Sequence, residues 1–176
     1  MGDLIKKTTV VPFINTGTKS APVWTQIKKS TSFTISMNPQ TKSYDFISSE
    51  TPQTEIEGYQ PSLAQEIVMF KGEKDYEAIF DMLYHRVTGK DAHKDALIVF
   101  YKHKGTFSRN SESITVYQAW KIDALVTINQ MDTVNENIGF DLALNDIEEG
   151  AIEITSQGEP SFIKGSFEGD TFTQAQ

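Results

Sequence analysis

Apolar positions recur with helical spacing in the segment 72–89, GEKDYEAIFDMLYHRVTG. They fall at i, i+3, i+4, i+7 and i+11 on one stripe: Tyr76, Ile79, Phe80, Leu83 and Val87. Glu73 and Asp75 stand in the expected first turn, where the helix dipole favours negative charge, and Gly89 suits a left-handed C-cap. The pattern predicts a helix over about 73–88 whose stripe packs on a sheet and whose polar face is solvated or meets another subunit.

Alternation with a period of two predicts strands before this helix. Residues 32–38 carry apolar side chains on one face and serine or threonine on the other, as a half-buried strand does. Asn38-Pro39 signals a turn, and residues 44–47 are expected to pair back on the first strand as a hairpin. Two more strands are predicted before the helix, at 54–59 and 64–70.

The chain after the helix is rich in strand-forming residues. Residues 97–101, LIVFY, are apolar on both faces and predict a central buried strand. Residues 104–113 contain an early glycine and many polar side chains, which predicts a loop. The segment 114–129 is too long for one flat strand, so a bend or bulge is expected near 121–124. Shorter strands are predicted at 140–144, 152–154 and 161–167.

One helix set among strands predicts a mainly β (α+β) fold. The expected architecture is an antiparallel β-sandwich or barrel with one flanking helix, in a single domain over residues 1–176 without repeat or linker. Residues 1–30 mix glycine, threonine, serine, lysine and proline with isolated apolar side chains. That composition predicts a flexible N-terminal arm, either disordered or ordered by a partner. Residues 168–176 are expected to form a flexible C-terminal tail.

Composition limits the classes of function. The 176 residues suffice to bury a real core, and the absence of cysteine removes disulfides, thiol nucleophiles and thiolate metal sites. A net charge of -8 argues against a general nucleic-acid binder, which needs lysine and arginine to displace counterions. No window approaches the ~20 apolar residues of a membrane helix. The N-terminal segment lacks a long apolar run, so no signal peptide is expected.

A search for catalytic and ligand-binding motifs finds none. His85, His93 and His103 match no metal-ligand spacing, and His85 is placed for an ordinary surface pair with Asp81 at i, i+4. The acidic segment 145–150 lacks the alternate-residue ligand spacing of an EF-hand loop. No nucleophile stands in a motif beside an acid or base. We therefore expect no enzymatic activity, no metal and no cofactor.

Charge is distributed unevenly along the second half of the chain. Between Ile122 and Ile163 there is no lysine or arginine. The acidic residues in this stretch are Asp123, Asp132, Glu136, Asp141, Asp146, Glu148, Glu149, Glu153 and Glu159. Such a stretch is either an ordinary solvated face or a surface that repels a polyanion, and the sequence leaves both open.

The order of these segments resembles the major tail tube proteins of long-tailed bacteriophages. The segments that carry the resemblance, over roughly residues 31–165, are FTISMNPQTKSYDFIS, EIEGYQPSLAQEIVMFKGEKDYEAIFDMLYHRVTGKDA, LIVFYK, YQAWKIDALVTI and FDLALNDIEEGAIEIT with GEPSFI. The resemblance implies a structural virion protein with a tail-tube-like fold. Its subunits would form hexameric rings that stack into a hollow tube, assembled in the bacterial cytoplasm, through which DNA passes during ejection.

Partners and surfaces follow from the same resemblance. The chain would contact copies of itself, the tail tip and tail terminator proteins, and a tape-measure protein in the lumen, with no membrane and no specific DNA binding. Acidic candidates for the lumen alternate with apolar positions predicted to be buried: Glu55, Glu57, Asp141 and Asp146. Candidates for contacts between rings lie in the predicted hairpin and in the loop 48–53: Asn38, Pro39, Tyr44, Glu50 and Pro52.

Two other functions fit the same residues. A monomeric β-sandwich module that binds carbohydrate or protein would explain the tryptophan and tyrosine content, and it predicts an exposed aromatic cluster and an ordered N-terminus. A tube subunit of a related contractile injection system would have the same sequence features as a phage tail tube protein.

Overall fold

A computed structural model describes residues 4–176. Its strands are β1 (Val10–Asn15), β2 (Trp24–Gln26), β3 (Ser30–Ser36), β4 (Pro39–Tyr44), β5 (Gln53–Tyr59), β6 (Ser62–Val68), β7 (His93–Arg109), β8 (Glu112–Asp132), β9 (Asn137–Ile154), β10 (Pro160–Glu168) and β11 (Thr171–Gln174). The α-helix α1 spans Lys74–Tyr84, and 3-10 turns span Lys7–Thr9 and Gly89–Ala92. Among the described residues this is a mainly β fold with one flanking α-helix, which confirms the predicted fold class.

Three long strands, β7, β8 and β9, form the centre of the main sheet. At one end of these strands β10 and β11 continue the pairing from β9 back to β7, so that β7, β8, β9, β10 and β11 close into a small barrel. At the other end the pairing runs outward from β8 through β9 and β6 to β3 and stays open. Strands β1 and β2 extend the sheet from the first part of β7.

The helix covers one face of the sheet, as its stripe predicts. Ile79 and Met82 are buried against apolar side chains of the central strands, among them Ile122 and Phe140. Burial of a side chain such as Ile79 contributes about 1.5–3 kcal/mol. The other stripe residues, Tyr76, Phe80, Leu83 and Val87, are partly buried and pack against the same cluster.

The helix ends earlier than predicted. Arg86 adopts a left-handed conformation with φ 50°, its N–H donates to the Leu83 carbonyl, and the Val87 N–H donates to the Met82 carbonyl at 3.1 Å. This pair of bonds is a Schellman C-cap, which satisfies carbonyls that the last turn would leave unpaired. The predicted C-cap at Gly89 is therefore wrong. Glycine is favoured at the left-handed position of such a cap, but Arg86 occupies that position here.

The long strands behave partly as predicted. A register shift between Lys121 and Asp123 confirms the bend expected near 121–124, and Asp146, on the facing strand, has φ 46° as a bulge residue does. The predicted loop at 104–113 is wrong, because β7 continues to Arg109. A two-residue turn of positive φ, Asn110-Ser111, then reverses the chain into β8.

Both ends that the sequence predicts to be flexible contribute strands to the sheet. β1 is almost wholly buried and pairs with β7, and β2 pairs with β1, so residues 10–15 and 24–26 belong to the sheet. At the other terminus Phe172 on β11 is 3% exposed and packs inside the barrel against Phe107. Residues 1–3 of the predicted arm lie outside the described residues.

The barrel is narrow enough to need glycine. A Cβ at Gly150 would meet the ring of Phe162 at 2.6 Å, and a Cβ at Gly165 would meet the ring of Phe172 at 2.6 Å. Each aromatic ring lies directly over a strand that lacks a side chain at that point, which lets neighbouring strands curve closely around a small core.

Candidate assembly surfaces

The sheet has a polar face on the side away from the helix, over β3, β6, β9 and the second half of β8. Its rows follow from strand register: Thr34 lies beside Ala64, Ala64 beside Asp141, and Asp141 beside Thr127. The side chains of this polar face alternate with buried ones such as Leu63, Phe140 and Val126. This half of the sheet therefore buries one face and leaves the other open to solvent.

The polar face carries negative charge and no positive charge. Its four strand segments, 30–36, 62–68, 123–132 and 137–145, contain no lysine or arginine. Their acidic residues are Glu66, Asp123, Asp132 and Asp141. A surface of this kind attracts cations and repels polyanions such as DNA.

The four lumen candidates fall in three different places. Asp141 lies on the polar face and accepts a hydrogen bond from Asn129 Nδ2 at 2.7 Å. Asp146 is exposed at the bulge of β9. Glu55 and Glu57 lie outside the main sheet on β5, where their neighbour Ile56 is exposed, so the expected alternation with buried residues is wrong for this pair.

The polar face ends at two unpaired strand edges. β3 has β6 on one side and no strand on the other among the described residues. On the opposite border, pairing of β7 with β8 starts at His93 and Leu125, so residues 126–132 of β8 pair only with β9. A groove of about 680 Å³ runs along this second edge, between β8 and the end of the helix. Exposed edges of this kind present backbone donors and acceptors to an incoming strand.

A two-stranded ribbon, the hairpin arm (residues 38–60), projects from the junction of β3 and β6. β4 and β5 pair with each other and with no other strand of the described chain. Asn38 stands at the junction with φ 44°, and its Nδ2 donates to the Gln60 carbonyl at 3.0 Å. The prediction that residues 44–47 pair back on the first strand is wrong, because β3 pairs with β6 instead.

The five candidates for contacts between rings all belong to this arm. Pro39 starts β4 opposite Tyr59. Tyr44 ends β4, donates to Glu57 Oε1 at 3.2 Å, and stacks on Phe46 at 5.6 Å between ring centroids. Glu50 and Pro52 are exposed in the connecting loop, and Asn38 is the junction residue described above.

Sequence reasoning missed the apolar residues of the arm. Five large apolar side chains on or beside it are exposed: Met37, Phe46, Ile47, Ile56 and Tyr59. Their pattern looks like that of ordinary half-buried strands, and no local signal separates a strand that packs on a core from one that stands away from it. The unpaired edges were missed for the same reason, since strand pairing is a tertiary property.

Ionisable groups near these surfaces form ordinary surface pairs. His93 Nδ1 lies 3.2 Å from Asp123, and His85 Nε2 lies 3.4 Å from Asp81. A hydrogen bond from Lys164, 3.0 Å away, lowers the pKa of Glu148. Hydrogen bonds from Asn135 and Val134 lower the pKa of Asp132. Burial, and the neighbouring Tyr117, raise the pKa of Tyr101.

Two further findings concern ligands and membranes. Across residues 4–176, histidine and carboxylate side chains do not come together in groups of three or more that could hold a metal ion. In the same part of the chain, no helix has the length and apolar character needed to cross a membrane.

Comparison with known proteins gives a likeness in structure but no match in sequence. No protein-family model matches the sequence, and no curated protein matches it. The fold is similar to a chain in the six-fold symmetrised cryo-EM structure of the anti-feeding prophage (AFP) baseplate. The sequences are 12% identical, the match covers 85% of this chain and 97% of the other, and the TM-score is 0.46. A likeness of this degree does not establish a shared family or function.

Proposed function

We propose that this chain is a structural subunit of a phage tail tube, without catalytic activity. Copies of the chain form rings, hexameric as in the proteins it resembles, and the rings stack into a hollow tube through which DNA passes during ejection. The observation that carries the proposal is the acidic polar face bounded by two unpaired strand edges, one on β3 and one on β8.

The two edges support ring closure. An edge strand satisfies its backbone groups by pairing with another strand, and a ring of copies joined β3 to β8 pairs both of these edges. Such a contact joins two different surfaces, so it is heterologous, and it closes only at the number of copies that its angle dictates. The resulting inner barrel has the polar face on its inside and the helix on its outside.

The charge of the polar face supports a lumen. Glu66 and Asp141 project on this face with no lysine or arginine beside them. Phosphates bind proteins largely through lysine and arginine, so a wall of this composition lets DNA and a tape-measure protein slide without being held. Specific DNA binding is not part of the proposed role.

Negative-stain electron microscopy of the purified protein over a range of concentrations tests the proposal. Rings or hollow tubes of uniform width are expected at high concentration. A strictly monomeric species at every concentration contradicts the proposal and favours the binding-module alternative.

Charge reversal tests which residues face the lumen. Tubes of the Glu66→Lys, Asp141→Lys variant are expected to retain DNA inside at low salt, whereas tubes of the wild type do not. The matched pair Glu55→Lys, Glu57→Lys on the arm has the same change of charge. Stronger DNA retention by the arm pair would show that the arm, and not the polar face, lines the lumen.

A further inference from the structure

The tip of the hairpin arm is an exposed apolar projection. Ile47 is fully exposed and Phe46 about half exposed, with Phe46 held against Tyr44 by parallel stacking at 5.6 Å. The Ser49 N–H donates to the Phe46 carbonyl at 2.9 Å, which closes a tight turn at the tip. Because stacking already holds the Phe46 ring in one orientation, this side chain loses little entropy when another surface covers it.

A pocket of matching character lies on the barrel, between β7, β8, β9 and β10. Its volume is about 410 Å³, within the ~300–1,000 Å³ range of pockets that enclose a ligand or several side chains. Trp120 and Phe100, which meet edge to face at 5.2 Å, line this pocket together with Ser166 and Phe167 of β10. We call this cavity the barrel pocket.

A basic bulge of β7 borders the barrel pocket. The register of β7 and β8 jumps from Phe100 to Lys104, so residues 101–103 bulge out of the ladder, with His103 lining the pocket. Lysines at 102 and 104 flank this histidine. Glu149 is the acidic residue in the pocket lining.

The tip has the complementary charge. Residues 45–52, DFISSETP, contain Asp45 and Glu50 and no lysine or arginine. The arm stands away from its own barrel, because β4 and β5 pair only with each other among the described strands. At ~3.3 Å per residue, the six residues of β4 extend the arm by roughly 20 Å, enough to reach a second molecule.

We propose that the tip of the hairpin arm docks in the barrel pocket of a second copy of this chain, with Ile47 and Phe46 against Trp120 and Phe100. The acidic tip then lies beside the basic bulge. This inference rests on the proposed function for its setting, a repeating assembly of identical subunits. It adds the receptor surface, which neither the sequence pattern nor the unpaired sheet edges identify. Because tip and pocket are different surfaces, each copy both inserts a tip and receives one.

Cysteine cross-linking of the full chain tests the docking directly, since the natural sequence contains no cysteine. The double variant Ile47→Cys, Ser166→Cys is expected to give a ladder of covalent oligomers on a denaturing gel after mild oxidation or treatment with a short bismaleimide. The matched control is Ile47→Cys, Ser113→Cys, whose second thiol is exposed at the turn between β7 and β8. No ladder is expected from the control.

The outcomes separate this inference from the proposed function. Rings or tubes without a ladder, or an equal ladder from the control, overturn the docking and leave the tube proposal standing. A ladder from oligomers that form neither rings nor tubes supports the docking and contradicts the tube. A monomer without a ladder at every concentration contradicts both.

A charge exchange provides a second readout. Glu50→Lys and Lys104→Glu are each expected to raise the concentration for half-assembly by about two- to fivefold, the range for one exposed charge pair. The double variant is expected to return close to the wild-type value. The control Glu112→Lys, exposed at the turn between β7 and β8, should have no effect. Equal behaviour of Glu50→Lys and the control overturns the proposed docking.

Discussion

The barrel end and the open end of the sheet are built from the same long strands, but the strands are closed into a barrel at the first end and form an open sheet at the second. At the barrel end β7, β8 and β9 are joined by β10 and β11, so each strand has partners on both sides. At the open end β8 and β9 continue with β6 and β3, and two edges remain unpaired. A single long strand can therefore complete the fold of the monomer at one end and leave a backbone edge available for association at the other.

The core of the barrel end should be the more sensitive of the two regions to truncation of an aromatic residue. Phe172→Ala removes a ring that is 3% exposed and is expected to lower the free energy of unfolding by about 3–5 kcal/mol. Phe46→Ala on the arm is the matched control, with an expected change within about 0.5 kcal/mol. Urea unfolding of both variants measures the difference. A small change in the free energy of unfolding for Phe172→Ala would support the flexible C-terminal tail that the sequence predicts.

That contrast shows what the sequence could predict. The helix stripe, the buried strand at 97–101 and the bend near 121–124 follow from local periodicity and length, and each is found in the structure. The continuation of β7 over residues 104–109 was missed because the burial of this segment depends on distant parts of the chain. A Cβ at Gly105, for example, would meet the ring of Phe167 at 2.7 Å. The strand β1 was missed for the same reason. Its isolated apolar residues are typical of a loose arm, and their burial depends on pairing with β7.

Among the candidate surface residues, the side of the sheet on which Asp141 lies could be predicted from the sequence, and the projection of the hairpin arm could not. Alternation places Asp141 on the side opposite Phe140 and Leu142, as found. The identical rule failed for Glu55 and Glu57 because β5 leaves the sheet. Which strands pair, and which stand free, is decided by long-range contacts.

The next largest effect on stability is expected at Asp75, which attaches the helix to the segment before β3. Asp75 is 2% exposed, and its Oδ2 accepts a hydrogen bond from the Lys28 N–H at 2.9 Å. Asp75→Ala leaves this backbone donor unsatisfied and is expected to lower the free energy of unfolding by about 2 kcal/mol. Asp81→Ala, exposed on the same helix, serves as the control for charge and helix propensity. Equal thermal unfolding of the two variants would contradict the structural role of Asp75.

Replacing a buried side-chain amide beneath the open end of the sheet is expected to raise stability instead of lowering it. Gln65 is 2% exposed on β6, and neither Nε2 nor Oε1 has a hydrogen-bond partner within the described chain. Gln65→Met keeps the length of the side chain and removes the unpaired polar atoms, so it is expected to stabilise the fold by about 1 kcal/mol. Chemical denaturation measures this change. A loss of stability would indicate that the amide is satisfied by buried water.

The smallest expected effect concerns pH. The hydrogen bond from Lys164 lowers the pKa of Glu148 below its ordinary value of 4.5, so the pair stabilises the fold above that pH and loses its contribution as the pH falls through the lowered pKa. Both side chains are well exposed, so Lys164→Met is expected to cost at most about 0.5 kcal/mol at pH 7. The cost should shrink as the pH falls through the lowered pKa and Glu148 becomes protonated. A cost that persists in acid would assign the effect to packing instead of charge.

Amide hydrogen exchange, compared between monomer and assembled protein, tests whether rings close through the two sheet edges. Assembly is expected to protect backbone amides of β3 (Ser30–Ser36) and of residues 126–132 in β8. Amides inside the barrel formed by β7, β8, β9, β10 and β11 are expected to keep the exchange rates they have in the monomer. Exchange at both edges that is equally fast in monomer and assembly would contradict ring closure through the sheet edges.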